Sequence, residues 1–255
     1  MAFRDKITEF FRLSFSIANA EFKLRNEGSY LGILWYLLNP IMLFTLLFLV
    51  FRDRLGNDIP YYGLYLLLGI IMFNLFQEST LDASRVMRNY SGVIKSINFT
   101  RESFVSALLI KRIYSHLIEI VVFTVVLYYL TGSILGLIFY PIVLVLFSIF
   151  IYGICLMLSL MVVYFIDLDN IWNFFIRLLW FATPIFYSIA GQNRLFYLNL
   201  FNPLYYFITL AREIVIYNRI PELWIISGAF FFSAISLLIG IILFNKLKNK
   251  MPELI

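Results

Sequence analysis

Apolar and polar residues alternate along this chain on two scales. Over the first 30 residues they share the turns of one helix. Phe3, Ile7, Phe11, Phe15, Ala18 and Phe22 recur at spacings of four and three, while Asp5, Glu9, Arg12, Ser16, Asn19 and Lys23 fall on the opposite side. That stripe predicts an amphipathic helix over residues 1–30, lying in a membrane interface with its apolar side down. A helix docked on a partner protein would show the same stripe. No short apolar core comes after a basic start, so a cleaved leader is not expected.

Beyond residue 30 the alternation becomes coarse, with uncharged runs of 17 or more residues between polar stretches. A helix needs about 20 apolar residues to cross a bilayer. These runs, together with two that carry a single charge each, Glu119 and Arg177, predict spans over 31–51, 61–77, 113–130, 141–166, 171–189 and 223–244, with Pro141 suited to a first helical turn. The polar stretch 78–112 is expected to be a loop. Segment 195–217 is ambiguous: Leu195 to Phe201 is apolar, Asn202-Pro203 has the form of a cap and first turn, and Arg212-Glu213 interrupts the apolar run from Leu204 to Tyr217. Counted as a span, it would separate the two termini across the membrane. As a re-entrant pair of short helices it leaves six spans, with both termini on one side.

The distribution of basic residues decides between these. With six spans, the N-terminal segment, the 78–112 loop and the C-terminal tail hold fourteen Lys and Arg, against five on the other side and Arg177 inside a span. The positive-inside rule therefore places both termini in the cytoplasm. The fold class expected is an all-α membrane protein: six transmembrane helices in a single domain over 31–255, with a re-entrant segment before the last span. Composition agrees, with 62% hydrophobic and 14% charged residues and a mean hydropathy of +0.89. Soluble domains carry roughly 25% charged residues, so soluble enzymes and nucleic-acid binders are excluded. Cys155 has no second cysteine to pair with and sits in an apolar run, which reads as core packing.

Few residues could carry chemistry. Arg112, His116 and Glu119 share one helical face, and intramembrane ionisable groups usually point to a partner or a water path. They suit a proton relay, or a polar contact holding the bundle together. Arg177 invites the same comparison, with Glu119, an acidic lipid or a substrate group as its partner. Asp167-Leu168-Asp169 has the Asp-x-Asp form of metal-dependent glycosyltransferases, but a divalent ion needs more oxygen ligands than two carboxylates in a short turn. Helix capping by Asp169 or Asn170 is the simpler expectation. No Gly-x-x-x-x-Gly-Lys-Ser/Thr occurs, so the chain has no P-loop for ATP, and no His/Cys cluster suggests a metal. Aromatics near span ends, including Trp35, Tyr36, Tyr205 and Tyr206, fit either an interfacial belt or faces on which a sugar would stack.

Several local sequences, in order, resemble the permease subunits of ABC-type polysaccharide exporters. They are Leu24 to Pro40 with its Leu31-Gly32-Ile33-Leu34-Trp35 core, Phe165 to Asn170, Thr183-Pro184-Ile185-Phe186-Tyr187, Asn202-Pro203-Leu204 with Arg212, and the tail with Pro252-Glu253-Leu254. The resemblance covers essentially the whole chain. It implies a homodimer in the cytoplasmic (inner) membrane of a prokaryote, bound by two copies of a separate ATPase subunit that carry the ATP and Mg. No cofactor is implied in this chain, and no nucleic acid. The cargo implied is a lipid-linked glycan such as O-antigen, capsule or teichoic acid, moved amid membrane lipids. The ATPase would push on a coupling helix within Leu81–Glu102 and on the Asp167–Asn170 turn. Arg85, Arg88, Lys95 and Arg101, with Asp167, Asp169 and Asn170, are then the coupling candidates. Trp35, Tyr36, Arg112, His116, Glu119, Arg177, Tyr205 and Tyr206 are candidates for the substrate pathway. Attraction to anionic headgroups would explain the basic residues equally well. Two other classes stay open: an ATP-independent secondary transporter or flippase using His116 and Glu119, and a membrane-embedded transferase using Asp167 and Asp169.

Overall fold

A computed structural model describes residues 2–27, 32–96, 100–189 and 193–248. Within them ten α-helices run in chain order: α1 (Ala2–Asn26), α2 (Trp35–Leu55), α3 (Tyr62–Asn89), α4 (Ser91–Ser96), α5 (Glu102–Thr131), α6 (Tyr140–Tyr164), α7 (Leu168–Ala182), α8 (Asn193–Leu200), α9 (Pro203–Val215) and α10 (Leu223–Leu247). No strand occurs among the described residues. Helices α3, α5, α6 and α10 are each long and apolar enough to cross a membrane. The shorter α7 has 15 residues.

The central element is α3, which touches α2, α5, α6, α7 and α9. Leu64, Leu66, Leu68, Ile70, Met72 and Phe73 are fully buried along it, on several faces at once. A helix apolar all round is one enclosed by others. The closest helix pair, α6 and α10, meets through small residues. Ser233 Oγ donates to the Leu146 carbonyl at 2.9 Å and Ser236 Oγ to the Phe150 carbonyl at 2.7 Å. A Cβ on Gly153 would collide with the Ser236 backbone, and one on Gly240 would lie 2.5 Å from the Gly153 carbonyl oxygen. Within a bilayer such close backbone approach substitutes for the hydrophobic effect as the source of helix association.

Two expectations about helix ends are corrected. The 78–112 stretch is mostly helical, because α3 runs on to Asn89 and α5 already begins at Glu102. The apolar run ends there but the helices do not, since the charges they acquire pair across the α3–α5 contact. The helix expected as the fifth span, α7, ends at Ala182 rather than near Ile189. Thr183 is extended, with ψ 135°, as a residue preceding proline prefers.

α1 also departs from the simple stripe. Ser14 and Ala18 are buried against α5, and Phe22 sets its ring edge on Tyr114 at 5.8 Å. Ile7, Phe11 and Phe15 remain exposed, and so do Glu9, Arg12, Ser16, Asn19 and Lys23. The helix thus has three faces, one for protein, one apolar and one polar.

The connections gather at two ends. One end holds α4, the C-termini of α3 and α10, the N-terminus of α5 and the Phe165–Asp167 turn. The other holds the connections 56–61, 132–139, 183–189 and 216–222. Helices α8 and α9 follow one another at this second end and touch each other. α9 reaches inward far enough for Phe207 to lie 5.0 Å from Phe147 and 5.1 Å from Phe150, ring to ring.

Candidate functional site

At the first end, one carboxylate joins two elements. Asp169, at the start of α7, accepts from Ser84 Oγ at 2.6 Å through Oδ1, and its Oδ2 lies 3.3 Å from Arg85 Nε. Three residues further along α3, Arg88 Nη2 donates to the Val162 carbonyl at 3.0 Å. The α6–α7 turn and the end of α3 therefore form one surface. Asp169 does not cap α7: Asp167 occupies that position, with no side-chain cap bond, and Asn170 is exposed. Phe165 and Ile166 are 65% and 73% exposed on this polar surface, where water is a poor neighbour for both. Arg101 faces elsewhere, donating to the Lys248 carbonyl, while Lys248 Nζ pairs with Glu102 at 2.7 Å. In α4, Ile94 is buried and Val93 exposed. The side chains of Lys95 and Tyr36 lie outside the described residues, as do Gly28–Leu31 of the Leu24–Pro40 motif and the tail beyond Lys248.

Beside this surface an ionic cluster ties three helices. Arg112 pairs with Glu78, and with Asp82 at 2.8 Å; Lys111 reaches Asp82 at 3.3 Å and Glu21 of α1 at 3.2 Å. Tyr90 donates its hydroxyl to Glu21 and stacks on Phe104. Burial, and next the Glu21 carboxylate, push the Tyr90 hydroxyl above its ordinary pKa, so it stays a neutral donor.

Arg112, His116 and Glu119 share a face of α5, but Arg112 and His116 turn to different partners. The Arg112 guanidinium turns to α3. His116 is buried, its Nε2 2.6 Å from the Tyr140 hydroxyl and its Nδ1 3.7 Å from Glu119. Arg177 is exposed on α7, and Trp35 is half exposed at the start of α2. Tyr205 and Tyr206 are both buried, the latter donating to the Leu200 carbonyl at 2.9 Å.

The second end is organised by a residue outside both the coupling and the pathway candidates. Arg212, 3% exposed, sends its guanidinium to three carbonyls: Tyr65 at 2.9 and 3.2 Å, Pro184 at 2.7 Å and Ile185 at 2.9 Å. It also lies over the Tyr65 ring, 3.3 Å from the centroid. Carbonyl dipoles and an aromatic face thus replace the carboxylate that usually accompanies a buried cation. The hydroxyls of Tyr62 and Tyr65 reach the same connection, at the Phe186 and Tyr187 carbonyls, both at 2.9 Å. Asn202 caps α9, accepting from the Leu204 backbone at 3.1 Å, and donates to Thr183 Oγ1 at 2.9 Å. The two motifs Thr183–Tyr187 and Asn202–Arg212 are therefore halves of one clamp. A charged residue inside the apolar 195–217 segment was the signal available for it.

Above the clamp opens a cleft of about 890 Å³, walled by the 58–61 connection, α9 and the start of α10. Among the described residues, no group of three His, Cys, Asp or Glu side chains is placed to hold a metal ion.

Residues 12–216 match the family described as ABC-2 type transporter. The chain is 25% identical over 248 residues to an O-antigen export system permease protein RfbA of Klebsiella pneumoniae, an alignment covering 96% of this chain and 95% of that protein. A second protein of that description from the same organism is 26% identical with the same coverage.

Proposed function

Because this chain belongs to the ABC-2 type transporter family, we propose that it is the transmembrane subunit of an ATP-driven exporter of a lipid-linked polysaccharide, of the O-antigen kind. The hydrolysis of ATP with Mg falls to a separate ATPase subunit, bound in two copies at the basic end. That end faces the cytoplasm of a prokaryote, with both termini. Six spans (α2, α3, α5, α6, α7 and α10) run in alternating directions, and α8–α9 is a re-entrant hairpin on the outer side. The exposed apolar faces of α2 (Met42, Leu46, Leu49) and α7 (Phe174, Leu178, Phe181) suit a homodimer enclosing the path.

The observation that carries the reading is the Ser84–Asp169–Arg85 junction. It makes one surface of the α3 end and the α6–α7 turn, with Phe165 and Ile166 exposed beside it. A partner seated there would move both elements together. An ion-coupled transporter would instead need His116 and Glu119 to be open to water, whereas His116 is enclosed with Tyr140.

The test is co-purification in mild detergent. The wild-type chain is expected to bring a P-loop ATPase in equal amount. Phe165→Asp with Ile166→Asp should release that ATPase while the chain still inserts. Asp169→Asn should keep the complex but lower export per ATP several-fold. A chain that elutes alone from every gentle condition would overturn the exporter reading; a partner retained by the double variant would move the docking surface elsewhere.

A further inference from the structure

The cleft above the clamp has a use that its walls define. Tyr61, Phe196, Tyr205, Tyr217 and Trp224 present rings to it. Tyr205 stacks near-parallel on Trp224 at 6.1 Å, and Phe196 meets the same indole edge-on at 5.9 Å. The indole is further fixed by its Nε1 donating to Glu222. Two carboxylates facing this space, Asp58 and Glu213, make no hydrogen bond or ion pair among the described residues. Rigid rings beside unmet acceptors match the two surfaces of a sugar, whose C–H face packs on an aromatic while its hydroxyls donate to carboxylates.

Charge narrows the class. Asp58, Glu213 and Glu222 line the cleft against the two guanidinium groups of Arg212 and Arg219, three negative charges to two positive. Arg212 is turned to three carbonyls, and Arg219 lies at the rim, 6.0 Å from the Tyr217 ring. A negative wall repels phosphate and carboxylate groups, and in a partly desolvated cleft the repulsion is less screened than in bulk water.

Resting on the exporter reading, we propose that this outer cleft binds the emerging glycan within a single protomer, and that it accepts an uncharged saccharide in preference to a phosphate-bearing polymer. The cleft's place is on the release side of transport, where a sugar held by stacking can leave stepwise as the next one arrives.

The experiment uses the complex with its ATPase in lipid nanodiscs, with saturation-transfer NMR and calorimetry as readouts. The probes are the lipid-free oligosaccharide released by mild acid from the surface polysaccharide of the source organism, and a glycerol-phosphate hexamer as the anionic comparison. The oligosaccharide should bind, and Trp224→Ala should weaken it about fivefold or more. Trp224→Phe, which keeps the stack, should recover much of the loss. Glu213→Gln should weaken the oligosaccharide while improving the hexamer. No saturation transfer to the oligosaccharide, or binding indifferent to both Trp224→Ala and Glu213→Gln, would overturn the site. A hexamer that binds more tightly than the oligosaccharide would overturn the selectivity, as would a released glycan that proves to be polyanionic. ATPase co-purification and turnover on the same wild-type sample keep the two readings apart: if those persist while binding fails, the cleft inference alone falls.

Discussion

Arg212 reaches the backbone of α3 across Gly69. A Cβ built on residue 69 would lie 2.5 Å from Arg212 Nη2 and 3.3 Å from the Ile185 carbonyl oxygen. The missing side chain on one helix and the buried cation on another are one design, since the guanidinium occupies the space that an alanine would fill.

The pair makes a stability prediction. Arg212→Leu keeps the volume but strands the Pro184 and Ile185 carbonyls, and should cost about 3 kcal/mol. Gly69→Ala should cost about 1–3 kcal/mol by overpacking. Both should lower the thermal midpoint in detergent, measured as loss of the monodisperse chromatographic peak on heating. A midpoint unchanged in Arg212→Leu would show that the clamp contributes nothing.

The α6–α10 crossing predicts a contrast between glycines. Gly240→Val drives two methyl groups toward the Gly153 carbonyl and should destabilise by about 1–3 kcal/mol. Gly92→Ala in α4 meets nothing within 4 Å. It should be neutral or stabilise by up to about 1 kcal/mol through helix propensity. Parallel melts of the two variants check this, and equal shifts would sink the packing argument.

The third prediction concerns coupling. Glu119→Gln should leave export in proteoliposomes within about twofold of wild type. That margin is small beside the roughly 1.4 kcal/mol that a tenfold change represents. An ionophore that collapses the proton gradient should have no effect on either protein while ATP is supplied. Export that stops with the ionophore, or an order-of-magnitude loss in Glu119→Gln, would restore the ion-coupled reading.

Much of the fold was legible because hydropathy reports what lipid demands. The central runs of α3, α5, α6 and α10 fell where the apolar stretches predicted, and Pro141 marked the start of α6. Hydropathy could not show that α3 continues through Glu78, Asp82 and Arg85, because a helix outside the lipid needs only charge partners, and those lie on α5 and α7. The clamp was hidden for a related reason. Arg212 pairs with carbonyls, which leave no mark in the sequence, so its partners carry no opposite charge to look for. The Arg85, Arg88 and Asp169 neighbourhood was nameable from family resemblance alone. The Ser84 hydroxyl and the Val162 carbonyl that hold it together were not.

One helix touches both sets of contacts. α3 contains no proline and no break over its 28 residues, about 42 Å at 1.5 Å per residue. Its first turn is gripped by Arg212 and its last by Asp169 and the Val162 carbonyl. A hydrogen-bonded rod of that length resists compression far better than side-chain packing resists sliding. If the proposed partner pushes on the basic end, α3 offers no hinge in which to absorb the stroke, which would then reach the Thr183–Tyr187 connection and the α8–α9 segment undiminished. On the proposed coupling α3 would work as a pushrod, with the opening at the far end timed by whatever moves the near one.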